Sequence, residues 1–251
     1  MLGWTQSHPF SLSILSENED GVFNPACAGS APGNCMAEEH ALDTLRKRWS
    51  ADEINALPLY HYTGPVQVIH TLDEWNEALP DLMESGVLGF DTETRPTFRK
   101  GKVNAPSLVQ LATSQKVYLV QLCWLPFDAY LADLLSNPAI FKAGVGIRFD
   151  MQSLVKLFSF VPQGLVDLGS VARLNKLSSQ GLRTLSAAFF GWRISKGSQC
   201  SNWSLAELSS RQIIYAATDA WVSRLIYLKM KDLGFSFGRS GEKSSSRKKN
   251  A

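Results

Sequence analysis

The chain has 251 residues, of which 45 % are hydrophobic and 19 % are charged, and its formal net charge is +2. These proportions are ordinary for a globular protein and exclude wholesale disorder. No apolar run approaches the ~20 residues that a membrane-spanning helix needs, and the N-terminus lacks the pattern of a secretory signal. The four cysteines form no C-x-x-C pair, which favours free thiols in a reducing compartment. We therefore expect a cytoplasmic protein without membrane segments.

The two ends of the chain differ in composition from its centre. Residues 1–62 show little hydrophobic periodicity, which predicts a partly flexible N-terminal extension. Residues 234–251 contain five basic residues and one acidic residue, which predicts a basic, disordered tail. A folded domain is expected between them, over residues 63–233. Because the chain without its tail is slightly acidic, any contact with nucleic acid must come from a local patch.

Between these ends the hydrophobic pattern predicts a mixed sheet flanked by helices. In chain order, strands are expected at 66–70, 87–93, 107–113, 116–122, 141–147 and 164–166. Helices are expected at 72–85, 126–135, 148–158, 168–175, 182–190 and 210–231. Capping boxes at Ser50 and Thr71 predict helix starts there, and another at Ser204 predicts the start of the final helical region.

Two acidic residues end the central strand. Asp91 and Glu93 follow the apolar run Val87–Phe90, and side chains at i and i+2 point to one face of a strand. Two carboxylates ~4 Å apart repel by roughly 4 kcal/mol at an effective dielectric constant of about 20, so a cation between them is favoured. Hard cations such as Mg²⁺ take carboxylate oxygens as ligands. Taken alone, the pair can also simply end a strand in solvent.

Further candidates lie at two other places in the chain. Asp150 lies at a strand-to-helix junction, and Tyr215 and Asp219 lie on one face of the last helix. Each also has an ordinary structural role open to it, at a helix N-terminus, in solvent or in packing. Together the acids are what a two-metal phosphoryl-transfer site needs. A tyrosine, with a reference pKa of about 10, is a poor base but can orient a metal-bound water.

These three places also carry a family resemblance. They resemble, in order and spacing, the three motifs of the DEDD superfamily of exonucleases with four acids and a tyrosine, which includes RNase D and the Werner exonuclease domain. The matching segments are Phe90-Asp91-Thr92-Glu93, Gly144-Val145-Gly146-Ile147 with Asp150, and Tyr215-x-x-x-Asp219. The basic linker 99–102 and Ser201-Asn202-Trp203 are more similar to the Werner branch. The resemblance covers residues 65–232.

The resemblance implies an α/β, ribonuclease H-like fold with a five-stranded mixed β-sheet flanked by α-helices. It implies that Asp91, Glu93 and Asp219 bind one Mg²⁺ or Mn²⁺ ion, and that Asp91 and Asp150 serve a second. Tyr215 would orient the attacking water. The implied activity is 3′–5′ exonuclease cleavage that releases nucleoside monophosphates from the 3′ ends of nucleic acid. DNA is favoured and RNA stays open, because no motif here specifies contacts to the 2′-hydroxyl.

Six side chains are candidates for contact with nucleic acid: Arg99, Lys100, Lys102, Arg148, Lys196 and Trp203. A basic loop can equally be only solvated, and Trp203 can equally be a core residue. Two other function classes stay open, a catalytically silent nucleic-acid-binding domain and a phosphoesterase acting on small nucleotides. The complete set of five motif residues favours the exonuclease, because clustered acids without a metal repel a polyanion.

Overall fold

The structure is a computed structural model of the chain, and it describes residues 45–97, 104–124 and 128–238. The strands are β1 (Val66–Ile69), β2 (Val87–Thr94), β3 (Pro106–Ala112), β4 (Val117–Gln121), β5 (Phe141–Gly144) and β6 (Leu165–Asp167). The helices are α1 (Ala51–Ala56), α2 (Leu72–Glu84), α3 (Asp128–Ser136), α4 (Ile147–Val155), α5 (Leu168–Leu174), α6 (Leu182–Phe190) and α7 (Ser210–Asp232). Among these described helices, none combines the length and apolar character needed to span a bilayer.

The strands form one mixed sheet in the order β1-β4-β3-β2-β5-β6. The pairs β1–β4, β2–β5 and β5–β6 are parallel, whereas β2–β3 and β3–β4 are antiparallel. The predicted mixed sheet and its hairpin are therefore confirmed. The count of five strands that the resemblance implies is wrong, whereas the six strands expected from the hydrophobic pattern are all present, because the short strand β6 pairs with β5 along its whole length. The Lys142 backbone N–H donates to the Gly164 carbonyl at 2.8 Å, which starts this pairing.

Strand β2 is central because it pairs with β3 on one side and with β5 on the other. Its residues Leu88 and Phe90 are fully buried in the core on one face of the sheet, together with residues of α2, α3 and α4. The alternate residues Gly89 and Asp91 point to the other face. That face is covered by α7.

Helix α7 approaches β2 closely at Gly89. A methyl group at Gly89 would overlap the Ala220 carbonyl oxygen, so only glycine permits this contact. The close approach brings the α7 face that carries Tyr215 and Asp219 next to the carboxyl end of β2. The packing of one helix on one strand therefore brings two sequence motifs together.

Helix starts follow local capping chemistry in two of the three predicted places. The capping boxes at Ser50 and Thr71 are formed at the starts of α1 and α2. The prediction of a helix starting at Ser204 is wrong, because α7 begins at Ser210 with Ser209 as its N-cap. Ser209 and Gln212 form a second capping box five residues further along. Both serines are followed three residues later by Glu or Gln, so the local pattern fits either start equally well.

Residues 45–62 are packed against the rest of the fold. The Tyr60 backbone N–H donates to the Arg193 carbonyl at 2.8 Å, and the Arg193 N–H donates to the Pro58 carbonyl at 2.9 Å. The Tyr62 N–H donates to the Thr218 hydroxyl of α7 at 3.0 Å. Leu45 and Ile54 are buried as well. These contacts make 45–62 an ordered part of the folded domain.

Candidate active site

The five predicted catalytic residues come from three elements that meet beside the carboxyl end of β2. Asp91, Glu93, Tyr215 and Asp219 all line one cleft of about 560 Å³. Asp150 lies in the first turn of α4. The Thr92 hydroxyl donates to its carboxylate at 2.7 Å, which ties α4 to β2. Asp150 is also close enough to repel Asp91 and Glu93.

Burial and mutual repulsion disfavour the charged forms of these acids. Burial, followed by repulsion from Asp91 and Asp219, raises the pKa of Glu93 to about 9. Burial raises the pKa of Asp219 to about 7, although a hydrogen bond from Tyr215 opposes the shift. Burial and then repulsion from Asp219 and Asp150 raise the pKa of Asp91 well above its ordinary value. Burial also raises the pKa of Asp150.

In the part of the chain that the structure describes, these acids have no ion-pair partner. Within residues 45–97, 104–124 and 128–238, no salt bridge reaches any of the four carboxylates. Glu93 and Asp219 are only 8 % and 6 % exposed, and buried charges are normally paired or bound to a metal. A cation in the cleft would therefore offset the free-energy cost of burying these carboxylates together.

Tyr215 is held as a neutral hydrogen-bond donor. Burial and then repulsion from Asp219 and Glu93 raise its pKa above the ordinary value of 10, so its phenol stays protonated at neutral pH. Hydrogen bonding with the Asp219 carboxylate is a further cause of the raised pKa of Tyr215. The Trp203 ring packs against the Tyr215 ring with centroids 5.9 Å apart. Tyr215 can therefore orient a water or an oxygen by hydrogen bonding, but it cannot act as a base.

The donor set fits a hard divalent cation by its chemistry. Four carboxylates supply only oxygen ligands, the type that Mg²⁺ and Mn²⁺ prefer. In the part of the chain that the structure describes, no three acidic, histidine or cysteine side chains already converge in a ligating arrangement. Two of the carboxylates accept hydrogen bonds instead, Asp150 from Thr92 and Asp91 from the Thr92 backbone N–H at 2.8 Å. Asp91 already lines the cleft, whereas Asp150 lies outside its lining and is held by Thr92.

The residues predicted to contact nucleic acid fall into separate places. Lys196 is exposed and lines the cleft. Arg148 is exposed in the first turn of α4, outside the cleft lining. Trp203 is fully buried, which corrects the expectation that it touches nucleic acid, because its indole packs under Tyr215. The candidates Arg99, Lys100 and Lys102 lie outside the described residues.

Sequence reasoning missed one wall of the cleft. Trp49, Ala51 and Ile54 from the N-terminal segment line it, as does Arg183 of α6. The Arg183 guanidinium donates to the Asn55 side chain, which joins α6 to α1. In the sequence this wall is marked only by three basic residues, at 46–48, directly before Trp49. A short basic cluster does not by itself predict which part of the fold it contacts.

A mixed α/β sheet with three acids and a tyrosine in one cleft, and a fourth acid beside it, fits a nuclease that acts on phosphodiesters. Residues 66–234 match the model of a protein family described as 3′–5′ exonuclease. The chain belongs to this 3′–5′ exonuclease family. Its members are hydrolases that use divalent metal ions.

Two curated relatives show how much of a larger protein the match covers. The mouse bifunctional 3′–5′ exonuclease/ATP-dependent helicase WRN is 36 % identical over 210 residues, which is 80 % of this chain and 15 % of that protein. Human exonuclease 3′–5′ domain-containing protein 2 is 32 % identical over 187 residues, which is 68 % of this chain and 30 % of that protein. The chain thus spans less than a third of either relative.

A solved structure supports the fold independently. The EXO domain of Nibbler from Aedes aegypti superposes with a TM-score of 0.62 at 24 % identity, over 69 % of this chain and 92 % of that domain. The expected ribonuclease H-like exonuclease fold is therefore confirmed.

Proposed function

We propose that this chain is a divalent-metal-dependent exonuclease that hydrolyses the phosphodiester bond at the 3′ end of a nucleic acid and releases nucleoside monophosphates. DNA is the favoured substrate, and RNA is the alternative to test beside it. One observation carries the proposal: four carboxylates share one site, two of them almost fully buried, and no described basic side chain pairs with them. Such a cluster lowers stability unless it binds cations, so its presence in a family of nucleases points to metal-assisted catalysis.

Each residue has a role that follows from its place. Asp91, Glu93 and Asp219 would hold one Mg²⁺ or Mn²⁺ ion, and Asp91 with Asp150 would hold a second. When bound, the ions would neutralise the charge that develops on the phosphate and activate water. Tyr215 orients the attacking water through its neutral hydroxyl.

Other residues support this arrangement. Thr92 fixes Asp150 through the hydrogen bond from its hydroxyl. Trp203 fixes the Tyr215 ring by packing under it. Lys196 is exposed and lines the cleft, and in this proposal it binds a phosphate of the substrate.

The test uses 5′-labelled single-stranded DNA and RNA of the same sequence. We expect a ladder of products that shorten from the 3′ end with Mg²⁺ or Mn²⁺, and no cleavage with EDTA. Asp91→Asn should abolish the ladder while leaving the protein folded. The matched control is Asp133→Asn, because Asp133 is an exposed acid on α3 outside the cleft.

The alternatives give different results in the same assay. A protein that binds both strands but cleaves neither, with either metal, is a binding domain and refutes the proposal. Cleavage of small nucleotides with no activity on oligonucleotides would establish the phosphoesterase instead. If the Asp91→Asn variant keeps its activity, Asp91 does not bind the catalytic metal.

A further inference from the structure

We propose that a second cleft beside the active site binds the nucleotide on the 5′ side of the scissile bond. This inference rests on the exonuclease function proposed above and names one part of its substrate site. The cleft has a volume of about 320 Å³, the size range of pockets that hold small ligands.

The two clefts are neighbours on the same turn of α7. Ser195, Tyr215 and Asp219 line both of them, so the side chains at the reacting centre separate one cleft from the other. A nucleic-acid strand whose terminal phosphodiester lies at Asp219 would therefore have one of the two clefts on each side of that bond. The acids are concentrated in the larger cleft, and Asp219 is the single acidic residue among those that line the smaller one.

One wall of the second cleft is a short segment of the N-terminal region, Leu59–His61. Backbone hydrogen bonds from the Tyr60 N–H to the Arg193 carbonyl and from the Arg193 N–H to the Pro58 carbonyl hold this segment in place. The Tyr60 ring stacks on Trp192 with centroids 4.0 Å apart and the ring planes 4° from parallel. A wall fixed in this way is preorganised, which lowers the entropic cost of binding a flexible strand.

The lining has the two kinds of surface that a nucleotide requires. Leu59 and Ile214 supply apolar surface, suited to a base. His61 and Arg211 are both exposed beside this surface. Neither side chain has a hydrogen-bond or ion-pair partner among residues 45–97, 104–124 and 128–238. They are therefore available to bind a phosphate group.

The segment Leu59–His61 precedes the region that matches the family, which starts at residue 66. The wall therefore comes from a part of the chain that the family match does not explain. Because Leu59–His61 line the cleft, the proposal gives the N-terminal segment a direct part in substrate binding. We accordingly place residues 45–62 within the functional domain.

The experiment compares two substrates that differ only on the 5′ side of the scissile bond. The first is a 5′-labelled 12-nucleotide single strand. The second is the p-nitrophenyl ester of thymidine 5′-monophosphate, in which nitrophenol replaces the neighbouring nucleotide as the leaving group. The variants are His61→Ala, Arg211→Ala and the double variant. Lys231→Ala is the matched control, because Lys231 is an exposed basic residue in the last turn of α7, at the end opposite Arg211.

We expect the double variant to raise KM for the 12-nucleotide strand about tenfold, the effect of losing roughly 1.4 kcal/mol of binding. The salt dependence of binding should weaken by about 0.7 in the slope of log K against log salt for each lost phosphate contact. Binding is measured by fluorescence anisotropy in the Asp91→Asn background, where the strand is not cleaved. Hydrolysis of the nitrophenyl ester should stay within about twofold of the wild type, and Lys231→Ala should change neither substrate.

Two results would overturn the inference. Equal losses on both substrates would mean that the cleft serves the reacting nucleotide itself. No change on the 12-nucleotide strand would mean that it binds no part of the substrate. If the wild type hydrolyses neither substrate, the proposed function itself fails, so the two failures are distinguishable.

Discussion

Replacing Glu93 with glutamine should raise the free energy of unfolding of the metal-free protein. Glu93 is 8 % exposed, and burial with repulsion from the neighbouring acids raises its pKa from 4.5 to about 9. At neutral pH this carboxyl is protonated in the folded state and ionised in the unfolded state. Ionisation therefore favours unfolding. Glutamine keeps the shape of the protonated side chain but cannot ionise.

The magnitude follows from the two pKa values. At pH 7.5 the unfolded carboxyl is about three pH units above its pKa, and each unit corresponds to about 1.4 kcal/mol. Glu93→Gln should therefore stabilise the metal-free protein by up to about 4 kcal/mol at that pH. Because the folded pKa is raised, the contribution of Glu93 to stability is lost as pH rises from about 4.5 to about 9. The free energy of unfolding of Glu93→Gln should therefore change less with pH, between about 4.5 and about 9, than that of the wild type.

The assay is urea unfolding in EDTA between pH 5 and pH 9, followed by tryptophan fluorescence. Saturating Mg²⁺ should stabilise the wild type, because a ligand that binds only the folded state adds to its stability. It should stabilise Glu93→Gln much less. Asp133→Asn serves again as the control. A variant that is no more stable than the wild type at pH 7.5 in EDTA would refute the electrostatic account of this site.

Three further substitutions test the packing around the site. Gln110→Leu should stabilise the protein by about 1 kcal/mol in urea unfolding, because both amide atoms of this fully buried side chain lack a hydrogen-bond partner. A loss of stability would show that the amide is paired. Gly89→Ala should lower stability by roughly 1–3 kcal/mol in thermal unfolding, because the new methyl group meets the Ala220 carbonyl. Unchanged stability would mean that α7 can move away. Trp203→Leu should lower kcat on the 12-nucleotide strand more than it raises KM, because Tyr215 loses the ring that packs against it. A change in KM alone would contradict this role.

The site was predictable where its chemistry is local to the sequence. Asp91 and Glu93 interrupt an apolar strand, and Tyr215 and Asp219 repeat at helical spacing, so each pair was visible without the fold. The mixed sheet followed from strand patterns and the hairpin signal. The short strand β6 was visible as an apolar segment, but its pairing with β5 depends on tertiary contacts.

Features that depend on distant contacts were not predictable. The Ser204 and Ser209 capping-box patterns are equivalent in local sequence, so the sequence does not distinguish between them, and in the structure Ser209 is the N-cap of α7. The N-terminal segment has no periodic pattern because its order comes from hydrogen bonds to Arg193 and Thr218, more than a hundred residues away. Isolated contacts of this kind leave no repeating signal in the sequence.

The packing of α7 on β2 brings the acids together, and it also supplies stability that offsets their mutual repulsion. The acids come from β2, α4 and α7, and they meet only when α7 packs at Gly89 and Thr92 binds Asp150. The apolar contacts that bring these elements together are therefore the source of the free energy that offsets the repulsion between the acids. A metal ion held by the proposed site would relieve that repulsion, so that metal binding and folding would be coupled through the same four carboxylates. If the proposal holds, the stability of the protein, as well as its activity, will measure metal binding.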